Sequence, residues 1–146
     1  MDKILYNLVK IDTKLFEINL DNYDESNSPD KTITVSFKVN SKFCNLSVLS
    51  EIQYKQEDRN ILKLQVECVF NIESNSFKGL TENGKITIPA ALARTLFATT
   101  TSTARGVLFD KLEDTILKNE ILPIPEWNEI KDLEQNIYVP RTRKQQ

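Results

Sequence analysis

Residues 62–72 read LKLQVECVFNI, and the alternation in that stretch decides the fold. Leu62, Leu64, Val66, Cys68, Phe70 and Ile72 are separated by Lys63, Gln65, Glu67 and Asn71. Successive side chains of a strand point to opposite faces, so this pattern makes one face apolar and the other polar. Just upstream, residues 55–60 (KQEDRN) form a charged turn, and Leu46, Val48, Ile52 and Tyr54 keep the same period, broken at Leu49 and Ser50. Ile33, Val35, Phe37 and Val39 alternate with Thr34, Ser36 and Lys38 as another half-buried strand. Residues 3–20 mix apolar and polar positions and end in the alternation Phe16, Ile18, Leu20. Between them, residues 21–31 (DNYDESNSPDK) are acidic, polar and interrupted by Pro29, which predicts a flexible surface loop. Strands following one another with short turns predict an antiparallel sheet with one apolar face.

Downstream the pattern changes. Residues 74–85 read as a loop carrying Gly79 and Gly84. From Pro89 the run AALARTLFATTTSTARGVLFDKL has helical period and composition. Pro89 suits a first helical turn, where its missing N–H costs nothing. Leu92, Leu96, Phe97, Ala104, Val107 and Leu108 make an apolar stripe. Thr99 to Thr103 are poor helix formers, and Arg105-Gly106 predicts a kink or an interruption. Residues 115–122 read as a short extended stretch ended by Pro123 and Pro125. Trp127, Ile130, Leu133 and Ile137 recur at helical spacing, predicting a terminal helix up to Pro140 and a disordered tail over 140–146. The expectation is one α+β domain over residues 1–146: a four-stranded antiparallel sheet, a long helix and a C-terminal helix.

Composition removes much chemistry. The 146 residues contain no histidine, which excludes His-based triads, His proton shuttles and zinc sites needing imidazole. Two cysteines, Cys44 and Cys68, cannot build a four-thiolate metal site. With a turn near Glu57-Asp58 they fall close on one sheet face, where two reduced, core-lining thiols suit a cytoplasmic chain. Nineteen basic against 21 acidic residues give a net charge of −2, so there is no broad electrostatic footprint for nucleic acid. Arg141-Thr142-Arg143-Lys144 clusters positive charge at what reads as a solvated C-terminus. No apolar run approaches the roughly 18 residues of a membrane span, and Met1-Asp2-Lys3 leads into no signal-peptide core. The expected location is the cytoplasm, with no cofactor and no metal.

Two motifs invite sharper readings. Gly79 to Lys85 (GLTENGK) has the G-x-x-x-x-G-K part of a phosphate-binding loop. Ile86 replaces the Ser or Thr that holds Mg²⁺, and no helix signal follows the lysine, so Asn83-Gly84 is read as a turn. The hydroxyl run Thr99, Thr100, Thr101, Ser102, Thr103 lacks an activating base and is read as close-packing small residues. A small enzyme using carboxylates or a Ser-Lys pair in a sheet–helix cleft has no activated group to point to. The chain is therefore expected not to be an enzyme.

Ile88-Pro89-Ala90-Ala91-Leu92-Ala93-Arg94, then Thr100-Thr101-Ser102-Thr103-Ala104-Arg105-Gly106, Thr115-Ile116-Leu117 and Ile121-Leu122-Pro123 follow in an order that resembles the SecB protein-export chaperones. Phe16-Glu17 and Val69-Phe70-Asn71-Ile72 fall where that family has similar residues, so the likeness runs from about Leu8 to Ile130. It implies an ATP-independent holdase that binds unfolded, extended polypeptides such as preproteins in apolar grooves. It also implies a homo-tetramer built as a dimer of dimers, with no membrane insertion. The groove residues it implies are Ile33, Val35 and Phe37 on the second strand with Trp127, Ile130 and Leu133 near the C-terminus. The same aromatic and aliphatic side chains also read as plain cover for the sheet. Leu62, Leu64 and Val66 match a segment that affects oligomerisation in the family. The spacing after Arg105-Gly106 is longer, and the acidic tail is absent. Both features look more like SecB-like proteins that serve as dedicated partners of toxin–antitoxin pairs. The implied partners are thus unfolded clients together with the motor SecA or an antitoxin. Where the family presents acidic residues to SecA, this chain has Lys63 beside Glu67.

Overall fold

The structure is a computed structural model and describes residues 3–137. Four long strands form its principal sheet: β1 (Tyr6–Ile18), β2 (Asp30–Asn40), β3 (Asn45–Gln56) and β4 (Arg59–Ile72). All neighbours are antiparallel and the spatial order is β1-β4-β3-β2, so β1 and β2 are the edges. This is the sheet that the alternations predict. Glu57 and Asp58 join β3 to β4 with φ of 48° and 63°, a two-residue turn whose handedness matches the strand twist. The loop before β2 crosses the sheet end and is tied to that hairpin. The buried Gln56 side chain accepts from the Asp24 N–H at 2.7 Å and donates to the carbonyls of Asp24 and Asn27 at 2.9 and 2.7 Å.

β1 carries two bulges, between Leu8 and Lys10 and between Thr13 and Leu15. Each bulge adds a residue and resets which side chain faces inward. Tyr6, Leu8, Ile11, Thr13, Phe16 and Ile18 consequently stand opposite Ile72, Phe70, Cys68, Val66, Leu64 and Leu62, all buried on the inner face of β4.

After β4 the chain forms α1 (Ser74–Leu80) where the sequence reading expects loop. The Glu73 carboxylate accepts from the Asn75 N–H at 3.2 Å and from the Ser76 hydroxyl at 3.3 Å, and Phe77 is buried beneath the helix. β5 (Thr81–Glu82) and β6 (Lys85–Ile88) flank Asn83-Gly84, whose φ values of 51° and 73° make it the expected turn. The helix α2 (Ala90–Leu112) then runs 23 residues without interruption at Arg105-Gly106. The threonines are accommodated because their hydroxyls donate to carbonyls one turn back: Thr95 to Ala91, Thr99 to Thr95, Thr100 to Leu96 and Thr103 to Thr99. Asp132 caps the start, accepting from the Ala90 N–H at 2.8 Å.

The expected C-terminal helix is not formed. β7 (Leu133–Asn136) instead pairs with β6, Leu133 opposite Ile88 and Gln135 opposite Ile86, completing a second antiparallel sheet of order β5-β6-β7. Residues 113–119 are turns and 120–126 are irregular, with Pro123 and Pro125 unable to donate to any ladder. Trp127 and Ile130 share a turn, the Ile130 N–H reaching the Trp127 carbonyl at 3.3 Å. That turn brings side chains three residues apart to one side and imitates a helical period. The expected tail at 140–146 lies outside the described residues.

α2 lies across β3 and β4 and divides the core. Its first half (Leu92, Ala93, Leu96, Phe97) packs with Leu46, Val48, Phe70 and Ile72. Its second half (Ala104, Leu108, Leu112) packs with Ile52, Tyr54, Leu62, Leu64 and Val66. Thr100 and Thr101 are buried within this packed face, as is Ser50 on β3. Cys44 ends the β2–β3 turn, its carbonyl accepting from the Ile72 N–H at 2.8 Å. Cys68 is four residues away along β4, on the order of 13 Å, so the expected closeness of the two thiols is not found; both are free. No described helix is long and apolar enough to cross a membrane.

Candidate functional site

Ile33, Val35 and Phe37 line the inner face of β2 and are half-buried. Trp127, Ile130 and Leu133 reach the same first core cluster as Val35 and Phe37, whereas Ile33 packs on the second. Trp127 meets Phe97 edge to face, ring centroids 5.7 Å apart. The fold thus packs five of the six expected groove residues against one core cluster, each of them half-buried. Leu62, Leu64 and Val66 are 1, 0 and 0% exposed beneath α2. Within one protomer they are core, the packing role that the alternation of β4 equally allows.

Open apolar surface also lies along β1. Because α2 lies over β3 and β4, the inner face of the edge strand β1 projects past it. Leu8, Ile11 and Ile18 are 41, 52 and 36% exposed on that face, with Phe16 half-buried between them. The facing flank of α2 presents Thr103, Val107 and Lys111, spaced four residues apart and therefore in one row. Two contacts fix this alignment. Lys111 Nζ lies 5.4 Å from the centre of the Phe16 ring. Cys68, the cross-strand neighbour of Ile11, lies beside the Thr100 and Thr103 hydroxyls. Burial pushes the Cys68 thiol up and those hydroxyls only partly offset it, so it stays protonated, a packing group rather than a nucleophile. The result is a trough with an apolar strand as one wall and a mixed helix flank as the other.

On the opposite flank of α2, the corresponding cleft is filled by the chain itself. Leu117 and Leu122 are buried there. The carbonyls of Glu120, Ile121 and Leu122 accept in turn from the Tyr54 hydroxyl at 2.8 Å, Lys31 Nζ at 3.0 Å and an Arg105 guanidinium N–H at 3.2 Å. The Glu120 carboxylate pairs with Lys31 at 2.9 Å and accepts from Tyr23 at 3.2 Å and Ser28 at 3.1 Å. The Lys31 hydrogen bond, against a smaller desolvation penalty, holds Glu120 below the ordinary carboxylate value. Burial, reinforced by Glu120, pushes the Tyr54 phenol up to about 12, so it remains a donor.

On the outer face of the sheet, carboxylates are matched by lysines: Glu51 with Lys63 at 3.4 Å, and Glu67 with Lys14 at 3.6 Å.

The sequence reading missed Leu8, Ile11 and Ile18, and it missed Lys31, Tyr54, Arg105 and Glu120 as a group. A spacing of three, two, three, two from Leu8 to Ile18 is the signal for the first set. Nothing local marks the second.

No family model matches the chain, and no curated protein does. The crystal structure of a protein of unknown function from Streptococcus agalactiae superposes with a TM-score of 0.47 at 11% identity. That match covers 86% of this chain and all of the other, a similarity too low to carry an argument about function.

Proposed function

We propose that the protein is an ATP-independent holdase of the SecB type, taking extended apolar stretches of unfolded polypeptides, including preproteins for export, into the trough between β1 and α2. The carrying observation is the uncovered row Leu8, Ile11 and Ile18 on a strand whose neighbours are otherwise buried. A core position left open to water is unfavourable for a chain that has no use for it. β1 also runs 13 residues, on the order of 43 Å, long enough to lie beside an extended segment rather than a compact ligand.

Burial supplies the drive and no nucleotide or chemical step is needed. Covering on the order of 1,000 Å² of apolar surface yields roughly 25 kcal/mol gross, most of it offset by ordering the client, which keeps binding reversible. The order of motifs between Ile88 and Pro123 supports the same reading, together with a cytoplasmic homo-tetramer. With Glu51 and Glu67 each matched by a lysine, the outer sheet face carries little net negative charge for a motor such as SecA.

The test is suppression of aggregation of an unrelated, chemically denatured protein, with oligomer mass measured on the same sample. Suppression near one tetramer per client without nucleotide is expected. A folded sample that suppresses nothing overturns the general holdase and leaves a dedicated adaptor of one partner, such as an antitoxin.

A further inference from the structure

We propose that the cleft between β2, β3 and α2 is a second polypeptide site that reads main chain, and that residues 120–122 are a cis occupant which an incoming segment displaces. This site extends the holdase reading above and rests on it.

Three consecutive carbonyls are each held by a side-chain donor, and the donors come from three different elements: Tyr54 on β3, Lys31 on β2 and Arg105 on α2. None of these contacts depends on which side chains the held segment carries. Main-chain hydrogen bonds supply affinity of this kind wherever an extended peptide is bound, with pockets for alternate residues adding selectivity. Here Leu122 fills a pocket, while Ile121 and Ile124 are 72 and 74% exposed. The segment is therefore held by three carbonyls and one buried side chain, and is not a strand of either sheet.

Two features make the occupant exchangeable. The stretch 120–126 belongs to no ladder, and Pro123 and Pro125 have no N–H to lose, so withdrawal breaks no regular structure. Arg105 Nε is buried without a partner among the described residues, although buried donors in native proteins are nearly always paired. The cis segment leaves one donor of the clamp unused.

The contacts of Glu120 define the ligand class. Lys31, Tyr23 and Ser28 converge on its carboxylate, and Leu122 is buried two residues on. The cleft accordingly takes an irregular segment with an acidic residue two positions before an apolar one. A tethered occupant has an effective concentration in the millimolar range, so a segment in trans competes poorly until the Glu120 anchor is loosened.

The test is a fluorescently labelled peptide of residues 116–125, titrated into the full-length protein and followed by anisotropy. Glu120→Ala should bind it about 10-fold more tightly than wild type or better, since the cis segment loses a hydrogen-bonded charge pair that the peptide restores. Adding Arg105→Ala should abolish that gain, and a peptide carrying Lys in place of the glutamate should not bind. Glu120→Gln removes only the charge and serves if Glu120→Ala proves unfolded by circular dichroism. Equal or absent binding by wild type and both folded variants overturns the site. Aggregation assays on the same preparations separate the two readings. Tighter peptide binding without suppression sinks the holdase and keeps the site; suppression without peptide binding sinks the site alone.

Discussion

Replacing Leu8 and Ile11 together by serine separates a binding surface from a core. Both residues pair with buried partners, Phe70 and Cys68, yet are 41 and 52% exposed, together nearly one whole apolar side chain left in water. A client that covers them gains about what full burial of one Leu or Ile is worth, roughly 1.5–3 kcal/mol. The double variant should therefore weaken client binding by about 10- to 100-fold. The buried halves of the same side chains cost something too. Serine at both sites should lower stability by about 1–3 kcal/mol, less than removing two fully buried residues would. Affinity is measured by titration calorimetry with a permanently unfolded client, and stability by urea melts on the same stock. A folded double variant with unchanged affinity refutes the trough. A loss of stability above about 5 kcal/mol refutes the open placement of these side chains.

Trp127→Ala removes an edge-to-face partner of Phe97 from the first cluster and should lower stability by about 2–3 kcal/mol in a urea melt, leaving binding at the β1 trough intact. A stable variant that loses client binding would return Trp127 to the groove. Glu120 is held below its ordinary value of 4.5, so its contribution is complete above that pH and fades as pH falls through the lower folded value. The stability gap between wild type and Glu120→Gln should accordingly narrow as pH falls from neutral to below 4.5; a constant gap would mean the carboxylate charge is not what Lys31 holds. Gly84→Ala meets no neighbouring atom but forces a side chain onto φ of 73°, and should cost about 1 kcal/mol by thermal melt without altering client binding. A thiol reagent should label Cys44 and leave the buried Cys68 unmodified until the protein unfolds; rapid double labelling under native conditions would contradict the packing of Thr100 and Thr103 over it.

The strands were legible because a sheet with one buried face leaves an exact period of two wherever the strand is regular, as in β2 and β4. β1 hid its face because two bulges shift the phase, and the row from Leu8 to Ile18 reads as disorder when counted in twos. Alternation also says nothing about cover: Leu64 and Ile11 look alike in sequence, and only the path of α2 makes one core and the other surface. α1 escaped notice because its cap is a glutamate and its seven residues include two serines and a glycine, weak signals for a helix. The false C-terminal helix came from a real regularity, apolar residues every three or four positions, which a turn followed by β7 satisfies equally well. The clamp on residues 120–122 was beyond local reading, since Lys31 and Ile121 stand 90 positions apart.

On the holdase reading proposed above, the bulges at Val9 and Lys14 bear on a hazard peculiar to proteins that handle unfolded chains. An apolar edge strand is a template, and a long straight one can seed cross-β growth in the material it is meant to keep dispersed. Between the two irregularities β1 has only residues 10–13 in unbroken register, and Lys10, Asp12 and Lys14 add charge along the same stretch. A captive segment can lie along the inner face of β1, but a stack of segments cannot continue its ladder outward for more than a few residues. On that reading the irregular strand would limit each encounter to a single layer.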